Sequence, residues 1–165
     1  MTNTPRPAHA DAPAGPVVRG RCDAALHALA IAALVLIAVQ FALAGFGAFT
    51  MDKTPTDSVY GPHAIVGLLV AAMTVCILIA TLTSRAARAH RRTLWLAVSL
   101  TVLTVTVEPA LGSGGTTVPV LGALHALNGL VIFVLTGWLT WETTGRRRAS
   151  AADGAREPRS TGAPR

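Results

Sequence analysis

Four apolar runs dominate this chain, and their length decides what it can fold into. They cover about residues 24–49, 61–83, 93–111 and 119–141. A helix that crosses a bilayer needs ~20 mostly apolar residues. Each run meets that length, and together they take more than half of the 165 residues. The runs are continuous rather than alternating, which argues against a membrane β-barrel. Short connections between antiparallel helices give an up-down-up-down bundle. The expected fold is an all-α, four-helix transmembrane domain over residues 23–142. Residues 1–22 and 143–165 are rich in Ala, Gly, Pro and Arg and are expected to be disordered cytoplasmic tails.

The net charge of +6 is not a nucleic-acid signature, because the basic residues alternate by loop. Arg6, Arg19 and Arg21 precede the first run. Arg85, Arg88, Arg91 and Arg92 lie between the second and third, and Arg146, Arg147 and Arg148 begin a basic segment after the fourth. Lys53 alone lies between the first and second runs. The positive-inside rule therefore places both termini in the cytoplasm of a multi-pass plasma-membrane protein. The basic side would attract anionic lipid headgroups. Trp95, Trp138 and Trp141 fall at that boundary, as interfacial tryptophans do. Ala42-Leu43-Ala44 resembles a signal-peptidase site, but the first run is too long for a signal sequence. Cys22 and Cys76 fall at different depths and are not expected to pair; Cys76 reads as a small packing residue.

Polar side chains inside such runs are costly and normally face the bundle interior. Gln40, His63, Glu108, His125 and Asn128 all fall in the outer half. Each belongs to a helical stripe with small residues: Gln40, Ala44 and Gly47; His63, Gly67, Val70 and Thr74; Ala97, Thr101, Thr104 and Glu108; His125, Asn128, Gly129 and Ile132. His27 lies near the inner edge and reads as interfacial. Pro109 and the glycines after it are expected to close the third helix. Glu108 then reads either as a proton-exchanging group beside the histidines or as a helix-end carboxylate facing outer water.

The second and fourth runs share His-Ala-x-x-Gly-Leu, at His63–Leu68 and His125–Leu130, on helices that run parallel. A neutral imidazole is a good axial ligand for haem iron, and Gly67 and Gly129 would remove bulk where a flat macrocycle lies. His63 and His125 are thus candidate ligands for a haem b. A difference in depth of ~7 Å, at 1.5 Å per residue, counts against them. The competing reading is structural: hydrogen bonds among Gln40, Glu108, His125 and Asn128 that fix helix packing in a non-catalytic protein, as a complex subunit or homo-oligomer. No nucleophile with a paired base and no phosphate loop is present, which argues against an enzyme.

Gln40-Phe41 with Ala44-Gly45-Phe46-Gly47, His63-x-x-x-Gly67, and Leu124-His125-Ala126-Leu127-Asn128-Gly129 occur in that order. Together they resemble a family of small actinobacterial four-span membrane proteins of unknown function, over about residues 24–141. The resemblance implies that Gln40, His63, His125 and Asn128 form one feature. It also implies a glutamine where this chain has Glu108. More loosely, the arrangement is similar to four-helix b-type cytochromes.

Overall fold

A computed structural model of the chain describes residues 16–50, 59–84, 90–115 and 117–156. Four helices follow in order. α1 spans Pro16–Thr50 and α2 spans Gly61–Thr83. α3 covers Arg91–Gly115 and α4 covers Pro119–Arg156. No strand occurs among the described residues. All four helices are long and apolar enough to cross a membrane. α1 packs on α2 and α4, and α3 packs on the same two, so the helices follow chain order around an up-down-up-down bundle. α2 and α4 lie diagonally across its centre. The word outer denotes the end of the bundle carrying the α1–α2 and α3–α4 connections, and inner the end carrying the α2–α3 connection.

A heptad seam organises the interior. In α1 it runs Asp23, Leu26, Ala30, Ala33, Ile37, Gln40, Ala44 and Gly47, in alternating steps of three and four. In α2 the same spacing carries His63, Gly67, Val70, Thr74, Ile77, Thr81 and Ser84. A 3.5-residue period keeps one stripe against its neighbours over many turns. Leu96, Ala97, Leu100, Ile132 and Leu139 complete the apolar core. Large apolar side chains such as Leu68, Val35 and Trp141 point outward, where lipid is their natural solvent. Cys76 joins that outward face rather than packing inside.

Three boundaries differ from expectation. α1 starts at Pro16, before the boundary set after residue 22. Proline suits the first turn of a helix, so it starts the helix rather than ending a tail. α4 continues past residue 142 to Arg156, because Arg146–Arg148, Ala149, Ala151 and Ala152 are strong helix formers. The rest of the segments expected to be disordered, residues 1–15 and 157–165, lies outside the described residues. Third, Pro109 does not end α3. The helix is α over Arg91–Val102, π over Leu103–Val107 and α again over Glu108–Gly115. Proline in an α-helix clashes with the carbonyl four residues back and removes one bond. The wider turn relieves this: the Glu108 N–H reaches the Leu103 carbonyl, five residues back.

At the outer end α3 and α4 approach backbone to backbone. A Cβ on Gly115 would lie 2.9 Å from the Gly122 Cα and 3.0 Å from its nitrogen. A backbone neighbour cannot swing aside. Gly115→Ala should therefore destabilise the bundle by about 1–3 kcal/mol, as overpacking does. Gly137→Ala, where nothing lies within 4 Å, should leave stability unchanged; reversible unfolding in detergent compares the two.

Candidate functional site

The polar groups of all four helices meet in one layer of the outer half. His63 occupies the first turn of α2 and His125 the second turn of α4. α2 starts two residues before its histidine, whereas α4 starts six before its own. The α3–α4 hairpin thus projects about 6 Å further outward at 1.5 Å per residue. That projection absorbs the difference in depth expected from the sequence. The two imidazole rings meet across the bundle centre with centroids 6.1 Å apart and planes at 68°.

Each ring is held by the same kind of bond. His63 Nδ1 lies 3.3 Å from the Gln40 carbonyl oxygen, and His125 Nδ1 lies 3.2 Å from the Glu108 carbonyl oxygen. A carbonyl can only accept, so in each bond Nδ1 carries the proton and donates it. In its neutral form each imidazole then presents Nε2 as the nitrogen with the lone pair, the tautomer a metal-ligating histidine adopts.

Glu108 sits beside His125 with Oε1 3.4 Å from Nδ1, and its Oε2 accepts a 2.5 Å hydrogen bond from Asn128 Nδ2. The reading of a free helix-end carboxylate does not apply, because α3 continues to Gly115 and the side chain is largely covered; the structure instead places Glu108 beside His125. The π turn ends at Glu108 and belongs to this arrangement. Tyr60 stacks edge-on to His63 at 6.3 Å and fills the space beside Gly47, so the layer runs from the outer surface inward.

The motif glycines make close approach possible, but the atoms that use them belong to this chain. A Cβ on Gly67 would stand 2.8 Å from Gln40 Nε2. A Cβ on Gly129 would meet Glu108 Oε1 at 3.5 Å and the Phe41 ring at 3.6 Å. Gln40 Oε1 is buried without a hydrogen-bond partner, which is costly for an amide at membrane depth. Gly112 makes room for the His125 ring, with Cε1 3.1 Å from where its Cβ would be. Its role was not visible as a motif, since it lies beyond the proline expected to end the helix.

At the inner end His27 is not merely interfacial: its Nδ1 pairs with Thr143 Oγ1 at 2.9 Å, joining α1 to α4. Thr74, Thr81, Thr104 and Thr136 are buried with hydroxyls bonded to carbonyls three or four residues back. This lets a polar residue serve as core. Among the described residues no group of three or more His, Cys, Asp and Glu could hold a metal ion.

No family model, curated protein or solved structure matches the chain. The likeness to small actinobacterial proteins thus rests on the quoted motifs alone.

The layer contains bonds of opposite expected value. Asn128→Ala removes a partner of a covered carboxylate and should destabilise by about 1–2 kcal/mol. Gln40→Leu removes an amide whose oxygen is unpaired while keeping the backbone carbonyl that holds His63, so it should be neutral or stabilising. Unfolding midpoints of the two variants test this ordering.

Proposed function

We propose that this membrane protein is a b-type haem-binding, electron-transfer module with His63 and His125 as the axial ligands. The observation that supports it is the facing pair on diagonal, parallel helices, each ring tied through Nδ1 so that Nε2 is free. Two imidazoles whose centres lie 6.1 Å apart are a donor pair of the type that could hold a haem iron, through Nε2 of His63 and Nε2 of His125. The slot beside Gly67 is filled by the flexible end of Gln40, whose unpaired oxygen gives it little reason to stay there.

When bound, the haem iron would supply one-electron transfer between its ferric and ferrous states. The residues of this chain do the rest. The carbonyls of Gln40 and Glu108 fix the orientation of the rings and increase the donor strength of Nε2. Asn128 holds the Glu108 carboxylate beside His125. The apolar core inward of the layer excludes water from it.

A second reading is favoured by the filling of the glycine slots with Gln40, Glu108 and Phe41. On it, the layer only fixes helix packing in a non-catalytic protein, alone, self-associated or within a larger membrane complex. An absorption spectrum of the protein purified after expression with excess haem separates the two. A Soret band that shifts on dithionite, and is lost in His63→Ala and in His125→Ala, is the expected result. Its absence from the wild-type protein leaves the packing reading.

The orientation proposed from the charges is that of a plasma-membrane protein with cytoplasmic N- and C-termini and an inner surface near anionic headgroups. A fluorescent-protein fusion after Arg165 should be bright. An alkaline phosphatase fusion after Lys53 should be active; the reverse pattern inverts the topology.

A further inference from the structure

The inner end holds a second polar arrangement that the histidine layer does not use. A cleft of about 500 Å³ opens there, lined by His90, Arg91, Arg92, Glu142, Gly145 and Arg146. It lies where the start of α3 meets the emerging part of α4. Its volume lies within the range of small-molecule sites. Three arginines face one glutamate in the lining, and the balance is positive even when Asp23, 3.9 Å from Arg146 Nε, is counted.

The acidic groups are already engaged. Glu142 accepts from Thr93 Oγ1 at 3.4 Å and pairs with Arg92 at 3.6 Å. Arg146 NH1 donates to Thr93 Oγ1 at 2.7 Å, whereas its Nε and NH2 are buried with no hydrogen-bond partner. Arg91 is exposed, and among the described residues the ion pair of Arg92 is with Glu142. The cleft also faces the N-terminus of α3, where His90 stands at the cap and no side chain caps the helix. The helix dipole adds positive potential at that point. Arg92 lies 5.9 Å over the Trp138 ring, and Trp95, Trp138 and Trp141 point outward at the same level. Such a belt sits among lipid headgroups.

We propose that this cleft binds a phosphate-bearing anion through Arg91, Arg92 and the start of α3. Two sources carry that chemistry at this height: the phosphodiester of an anionic lipid, and soluble phosphate from the adjoining water. The tryptophan belt favours the lipid. The site rests on the chain spanning a bilayer and is independent of any cofactor at His63 and His125.

Arg91 and Arg92 are exposed, so their replacement leaves the core intact. The test compares the full-length protein with Arg91→Gln/Arg92→Gln and with Arg147→Gln/Arg148→Gln, which removes equal charge from exposed arginines outside the cleft. Native mass spectrometry reads retention of phosphatidylglycerol against phosphatidylcholine, and thermal shift reads the response to inorganic phosphate. The expected result is preferential retention of one phosphatidylglycerol, weakened roughly tenfold in the first double variant and little changed in the second. Stabilisation by inorganic phosphate that only the first variant loses, with no lipid preference, keeps the site and assigns it to the soluble source. Equal losses in both variants, or no response to either ligand, overturn the proposal.

Discussion

Water is absent from the middle of a bilayer, and every polar group placed there must find its partner within the protein. That constraint accounts for the outer layer of this bundle. Gln40, His63, Glu108, His125 and Asn128 come from four different helices. They converge because each lies on an inward stripe and because the alternative is a bare dipole in hydrocarbon, a cost that the Gln40 Oε1 still carries. Side chains reach other side chains in one case, Asn128 to Glu108, and backbone carbonyls in two. The carbonyl bonds matter most for chemistry, since they decide which nitrogen of each ring holds the proton.

The same constraint acts differently at the inner end. There the chain carries arginines and carboxylates in place of imidazoles, and they pair imperfectly. Asp23, Glu142, Thr93 and Arg146 tie α1, α3 and α4 together, while the outlying arginines stay open to the surroundings. The bundle is thus polar at both ends of one apolar core. One end gathers imidazoles, amides and a single carboxyl group at depth, and the other presents several charged side chains at a surface.

Much of the fold was legible because length and apolarity suffice to define a spanning helix, and short connections suffice to order four of them. The inward stripes were legible for the same reason, since steps of three and four need no knowledge of neighbours. What could not be read was local geometry under strain. Pro109 looks like a stop, because a proline removes a donor; only the neighbouring π turn lets the helix pass it. Gly112 and the common depth of His63 and His125 depend on that continuation and were hidden with it, whereas the pairing of the two histidines was legible in the repeated motif. His27 looked peripheral, since nothing in its own surroundings announces Thr143, 116 residues away. The boundaries of α1 and α4 moved outward because helix propensity, not burial, sets where a helix frays once it leaves the apolar layer.

The π turn has a further consequence for how this protein can vary. A wide turn holds one residue more than an α turn and so resets the angular phase of everything after it by roughly 100°. α3 therefore behaves as two segments with separate phase: one meshes with α2 over the inner half, the other aims Glu108 and Gly112 at α4. Loss of a single residue between Leu103 and Val107 would let the helix close into a regular rod, and the two changes of phase would cancel, leaving the carboxylate aimed at His125. Closing the π turn with all of its residues kept would instead turn the carboxylate away. The aim of Glu108 thus depends on the turn and the residue count together, while Thr104, buried within the turn, stays constrained in identity.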